Sequence, residues 1–300
     1  VKTALVVSGG GDKGAFAVGA IQAIRERDPF FDLVVGTSTG ALIAPMVALG
    51  EYDELESLYT SVRKRDVVRA NWLRLFLTGI YHTRPIEKLI RRVISEGDPS
   101  RYERLMRSET AIMLCTVGLQ SRNVRYYSQS GDMPGTTPWD DLEGFVSAVL
   151  GSLSQPFIMT VPRFGDEQLV DGGVREIAPV GVALRAGAER IYAVVNMPEM
   201  PGPEKRKTYG NVASIGMRAL DLMSEETLLN DVKMAQLYND ALEHLGEVPE
   251  TSRFHGRKKV ELVVVRPEKP LPSGGLDFEP AVMKEMVELG RAAARKALEG

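Results

Sequence analysis

The sequence holds a single cysteine, Cys115, among 300 residues, and only three histidines, His82, His244 and His255. One thiol excludes an internal disulfide and fits a reducing compartment. Neither sign of charge is in excess: 37 Lys and Arg stand against 40 Asp and Glu, a net charge of -3, so nucleic acid is not an expected partner. No apolar run reaches the ~20 residues that would cross a bilayer. No carboxylate cluster suggests a calcium site, and neither a metal nor a cofactor is expected. Repeats, low-complexity segments and linkers are absent as well, which leads us to expect one domain over residues 1–300. The chain begins on strand-like residues and without Met. The expectation is a signal peptide absent or already removed and a cytoplasmic location, with secreted and peripheral-membrane locations left open.

What the chain does contain is ordinary for a globular protein, with 44% hydrophobic and 26% charged residues. Apolar patterning predicts strands over residues 2–7, 33–35, 110–117, 124–128, 168–170, 190–196 and 260–265. Helices are predicted over 15–27, from Ser38 onward, 52–64, 85–94, 141–151, 178–186 and 211–244, and from 279 to the end. On the last of these, Val282, Met286, Leu289 and Ala293 share one face. The Pro-rich residues 197–203 read as a loop. Strands and helices alternate, so the fold class is α/β: three layers, α/β/α, around a mostly parallel sheet.

The most informative stretch runs from Asp32 through Gly36-Thr37-Ser38-Thr39-Gly40. An apolar strand ends in Gly-x-Ser-x-Gly and a helix starts at once, the setting in which a turn throws a serine hydroxyl clear of a sheet. Gly36 and Gly40 suit such a turn because a Cβ at either position would clash. Upstream, Gly9-x-Gly11-x-x-Gly14 also joins a strand to a helix. Read as a dinucleotide fingerprint, it lacks the acid at the far end of the next strand, since Asp28 and Asp32 precede that strand. Read as an oxyanion hole, its glycines let several N–H groups converge at a helix N-terminus, on the same sheet edge as Ser38. Lys13 sits in the first helical turn against the macrodipole, and faces either solvent or an anionic substrate group.

Ser38 needs a base. None of the three histidines carries a flanking motif. Asp171 ends a strand, is followed by Gly172 and Gly173, and would sit on the same edge; partial burial would raise its proton affinity toward neutrality.

Taken together, the ordered stretches Gly9-Gly-Gly-Asp-Lys-Gly14, Gly36-Thr-Ser-Thr-Gly40 and Asp171-Gly-Gly173 resemble those of the patatin-like phospholipases. The likeness extends through residues 79–85, 152–156, 178–180, 187–188 and 276–278 to the closing helix. The resemblance implies a lipid acyl-ester substrate, a catalytic dyad of Ser38 and Asp171 without histidine, and an acyl-enzyme on Ser38. It also implies an oxyanion hole from the N–H groups of Gly10, Gly11 and Asp12 with help from Thr39. Two alternatives stay open. One is a Ser–Asp–His α/β-hydrolase using His244 or His255, although that fold places more strands before its nucleophile. The other is a nucleotide-binding protein using residues 9–14. Residues 66–81, with Trp72, Leu73, Leu75, Phe76, Leu77 and Ile80 between basic residues, read as packed core, as an acyl-pocket wall, or as a lid making transient membrane-surface contact. Met217, Met223 and Met234 read as core, with an acyl-pocket lining as the alternative. Pro45 falls inside the helix after Ser38 and is expected to kink it.

Overall fold

The computed structural model describes residues 2–70, 81–133, 135–200, 208–244 and 258–299, with Gly202 and Ser252 besides. Residues 71–80 of the apolar stretch, His255, and Pro201 and Pro203 of the predicted loop lie outside the described residues.

The chain starts with β1 (Thr3–Val7) and α1 (Gly14–Arg27), then β2 (Leu33–Thr37), α2 (Thr39–Ala48) and α3 (Tyr52–Ser61). A single turn, α4 (Lys64–Val67), leads to β3 (Arg69–Ala70), which pairs with β4 (Tyr81–His82). Next come α5 (Arg84–Arg91), α6 (Ser100–Met106), β5 (Ala111–Gly118), β6 (Val124–Ser128), β7 (Thr136–Pro138) and α7 (Leu142–Leu153). A hairpin of β8 (Arg163–Phe164) and β9 (Glu167–Asp171) precedes α8 (Val180–Arg185) and β10 (Arg190–Val194). The long α9 (Val212–His244), β11 (Glu261–Val265) and α10 (Pro280–Glu299) complete it. The predicted boundaries of α9, β6 and β11 hold to within a residue, while α6, β7 and β8 are short elements that periodicity does not reveal.

Strands β11, β10, β1, β2 and β5 run parallel in that order, β6 follows antiparallel to β5, and β7 closes the series parallel to β6. Alternation along each strand feeds two apolar layers. Leu5, Val7, Val34 and Leu114 face the helices α1, α2, α7 and α10. Ala4, Val6, Val35 and Met113 face α8 and α9 on the other side. The sheet is thus covered on both faces, as an α/β pattern requires.

One detail of register positions the site. β2 stops at Thr37, opposite Cys115, whereas β5 continues to Gly118. β9 fills the gap from the opposite direction, with Asp171 opposite Thr116 and Val170 opposite Val117. Thr116 follows the partner of Thr37. Asp171 therefore holds the ladder position that Ser38 would occupy if β2 went on.

α10 departs from its predicted face at Leu289 alone, since Met286 is buried and Val282 and Ala293 pack against the core. Its buried stripe is Met283, Met286, Val287, Gly290 and Ala294, while Leu289 is 41% exposed. The cause is a close crossing with α1: a Cβ on Gly19 would overlap the Val287 carbonyl, and one on Gly290 the Phe16 carbonyl. Two glycines, weightless in a count of apolar residues, set the rotation of the helix.

Candidate active site

Ser38 joins β2 to α2 with φ 54° and ψ -120°, a conformation that costs a non-glycine residue roughly 1–3 kcal/mol. The surroundings hold it there. Its N–H donates to Ser152 Oγ at 2.9 Å, and that hydroxyl donates in turn to the Cys115 carbonyl at 2.6 Å. A Cβ on Gly36 would overlap the Gly40 carbonyl, and one on Gly40 would overlap the Val7 carbonyl, so the turn closes only with glycine at both positions.

Asp171 is buried, and the Ser38 side chain lies near enough to act on its carboxyl. Gly173 N–H donates to Asp171 Oδ1 at 2.8 Å. Burial pushes the Asp171 carboxyl up to about 6, against the pull of the Gly173 N–H bond and of the nearby Ser38 hydroxyl. Gly172 packs on Cys115, where a Cβ would lie 2.7 Å from the carbonyl oxygen.

The glycine loop reaches the same place. A Cβ on Gly9 would lie 3.1 Å from Ser38 Cβ. Asn196 Nδ2 donates to the Gly9 carbonyl, and Gly9 N–H to the Ile177 carbonyl at 3.2 Å. Gly11, at φ 61°, has no room for a side chain beside the Gly275 carbonyl. Among the described residues no acceptor takes the N–H of Gly10, Gly11 or Thr39, and Thr39 opens α2, where such donors have no partner within the helix. Asp12 departs from its expected role: its N–H donates to the Gly275 carbonyl at 2.9 Å and is not available to an oxyanion. Gly14 packs against the Thr39 and Tyr59 side chains, and Lys13 lines the cavity above the loop.

That cavity holds about 690 Å³ and contains both Ser38 and Asp171. One arm runs between α2, α3, α5 and α7 over apolar side chains that include Met46, Leu58, Ile90 and Val149. Pro45 lies inside α2 and lines this arm. The other end opens beside α9 and residues 270–278, where Lys13, Asn196, Arg218 and Glu225 supply polar groups. Met217 packs half-buried against the core and lines the cavity with Met223, whereas Met223 and Met234 are each 65% exposed and are not core as expected. Only the described edges of the apolar stretch bear on its reading: Val67 and Val68 are buried.

The two described histidines stay away from this place. His82 pairs through its backbone with Arg69, His244 Nδ1 bonds the Asp240 carbonyl of its own helix at 2.8 Å, and neither lines the cavity. Asp28 and Asp32 lie at the opposite edge of the sheet, where Asp32 Oδ2 accepts Thr3 N–H at 2.7 Å at the start of β1. No group of metal-ligating side chains occurs among the described residues, and no described helix is long and apolar enough to cross a membrane.

Two residues escaped the sequence reading. Ser152 was visible only as part of a resembling stretch, without a role. Asp231, on α9, accepts the N–H groups of Ile177 and Ala178 at 2.8 Å each. Burial pushes its carboxyl up to about 7, opposed by those two bonds and aided by the nearby Glu176. No motif surrounds it.

A strained serine on a strand-to-helix turn, facing a buried carboxylate across the edge of a mostly parallel sheet, is the architecture of the serine hydrolases built on a nucleophile turn. The sequence pattern of the patatin-like phospholipases matches residues 5–184. The chain belongs to the patatin-like phospholipase family. It is 23% identical over 205 residues to an uncharacterised NTE family protein of Mycobacterium tuberculosis, covering 68% of this chain and 51% of that one. A cUMP-AMP-activated phospholipase of Escherichia coli is 47% identical over 62 residues, 19% of each chain. Lysophospholipase NTE1 of Debaryomyces hansenii is 25% identical over 191 residues, 63% of this chain and 11% of that one. The chain thus spans about half the length of the mycobacterial relative, and less of the others. In fold it is similar to VipD from Legionella pneumophila, with a TM-score of 0.51 and 14% identity over 99% of this chain and 66% of that one.

Proposed function

We propose that the protein is a serine acyl hydrolase that cleaves carboxylic esters of lipids, with Ser38 as nucleophile and Asp171 as its base. The observation that carries this reading is that one cavity holds both Ser38, on its strained turn, and the buried Asp171 carboxylate, with the Ser38 hydroxyl near enough to act on that carboxyl and no ion pair to it among the described residues. Asp171 takes the Ser38 proton as Oγ attacks the acyl carbonyl. The carbonyl electrons move onto oxygen, and the N–H groups of Gly10, Gly11 and Thr39 receive that charge. Collapse expels the alcohol, which leaves with the proton held by Asp171, and an ester to Ser38 remains. Water then attacks the ester, giving its proton to Asp171, and the fatty acid departs as Ser38 recovers a proton.

The names of the bacterial and yeast relatives favour a phospholipid or lysophospholipid as the acyl donor. The apolar arm suits an acyl chain, and the polar end suits a headgroup. Exposure of Met223 and Val174 at the cavity lining suits transient contact with a lipid surface. Since β10 and β11 extend the same sheet as β1, we take the chain as one catalytic domain. Mixed-acyl phosphatidylcholine and short nitrophenyl esters, assayed with the wild type and Ser38→Ala, test the reading. The variant is expected to lose at least about a thousandfold in kcat, with the released fatty acid reporting which ester is cut. A variant as active as the wild type would sink it.

A further inference from the structure

We propose that the Asp12 carboxylate is a positioning group for the oxyanion loop, and that residues 273–278, which it grips, form a required wall of the active site. The inference rests on the acyl-hydrolase reading above. Residues 9–11 are three glycines, a loop with no side chain by which to be held and with the largest conformational freedom to lose. Asp12 is the first side chain beyond them, and it is 1% exposed. Its carboxylate accepts the Ser273 hydroxyl at 2.6 Å and the N–H groups of Asp277 and Phe278 at 3.0 and 2.9 Å. Its own N–H returns a bond to the Gly275 carbonyl at 2.9 Å. No cation pairs with it among the described residues, so its charge is met by these donors, which makes the bonds charge-assisted.

The gripped segment is itself over-determined. Gly275 N–H donates to Ser273 Oγ at 3.0 Å and Gly274 N–H to Asp277 Oδ2 at 2.9 Å. Phe278 is buried at φ 49°, a conformation an aromatic residue keeps only where its neighbours fix it. Two residues later α10 begins and lies along α1, the helix that follows the glycine loop. Beyond the bonds at Gly9, one carboxylate therefore ties the far end of the loop to the segment that leads into α10. Ser273, Gly275 and Phe278 all line the Ser38 cavity, yet they fall beyond residue 184, where the family match ends.

The test compares Ser273→Ala, Ser273→Thr, Asp12→Asn and Asp12→Ala by steady-state hydrolysis of a nitrophenyl ester. It adds binding of a trifluoromethyl ketone, whose adduct with a serine carries the oxyanion, and of the matching unreactive alkyl ketone. A misplacement near 1 Å costs on the order of a hundredfold, so Asp12→Asn and Asp12→Ala are expected to lose about that in kcat, and Ser273→Ala about tenfold, with KM changed less than about twofold. Ser273→Thr restores the rate. Trifluoromethyl ketone affinity falls in step with kcat/KM, while affinity for the alkyl ketone does not move. Should the Asp12 variants fail to fold, the Ser273 pair decides. Unchanged kcat in Ser273→Ala, or equal losses for both ketones, would overturn the inference while leaving the hydrolase reading intact. Loss of dependence on Ser38 in the wild type is a separate outcome that removes both.

Discussion

In the proposed dyad Asp171 has two duties that pull against each other. As a base it must be ionised, yet burial holds its carboxyl up to about 6, so the proton is lost only near neutrality. Below that value kcat/KM is expected to fall about tenfold per pH unit, and above it to level off. A flat profile from pH 4.5 to 8 would detach this carboxylate from the rate. Stability runs the other way. A native carboxyl whose proton is held above the unfolded value binds more protons than the unfolded chain between about pH 4 and 6, so stability declines as pH rises through that window. The shift corresponds to about 3 kcal/mol at most. Asp171→Asn, neutral throughout, should be inactive and melt above the wild type at pH 8, with the two converging below pH 4. Melting curves at the two pH values check this, and an Asn variant less stable at pH 8 would contradict it.

Between single residues and the whole chain stands a hub formed by Glu176, Ile177 and Ala178. The Glu176 carbonyl accepts the Thr37 hydroxyl at 3.2 Å, and the Ile177 carbonyl accepts Gly9 N–H at 3.2 Å, so the end of β2 and the glycine loop meet there. Asp231 holds the hub to α9 through Ile177 and Ala178. Asp231→Ala is expected to lower kcat by about ten- to a hundredfold with KM little changed, because the hub shifts while the arm between α2, α3, α5 and α7 is untouched. Asp231→Asn keeps an acceptor and should retain most of the rate; an alanine variant with normal kcat would show the tether to be idle. Elements also mark where sequence reading succeeds and where it stops. Gly36, Gly40 and Ser38 were legible because steric exclusion within five residues dictates the turn. Asp171 was legible because a strand end shares the sheet edge with Ser38. The Asp12 N–H was misassigned because its acceptor, Gly275, is remote in sequence, and Asp231 was invisible because nothing local announces a helix acid bound to a distant turn. Leu289 was placed on the buried face because apolar counting ignores what Gly19 and Gly290 permit.

The layers together produce a cavity that neither the sheet nor any one helix could form. On one side of Ser38 the arm between α2, α3, α5 and α7 is apolar; on the other, residues 270–278 and α9 bring polar groups. An ester whose carbonyl meets Ser38 must send its acyl chain one way and its alcohol the other, and burial decides which. Each buried methylene contributes about 0.8 kcal/mol, so on the proposed reading the apolar arm takes the chain and rewards its length. Ile90 and Val149 line that arm and are themselves buried, so a larger side chain there shortens the arm without touching the dyad. Blocking even two methylene positions predicts that Ile90→Phe and Val149→Phe lower kcat/KM for a long-chain nitrophenyl ester about tenfold relative to the butyrate. Overpacking in a filled core would cost about 1–3 kcal/mol, so melting temperatures close to the wild type would confirm that the phenyl rings enter open space. If both variants keep the wild-type ratio of long-chain to butyrate hydrolysis, the acyl chain lies elsewhere, and the polar end must be reconsidered as its exit.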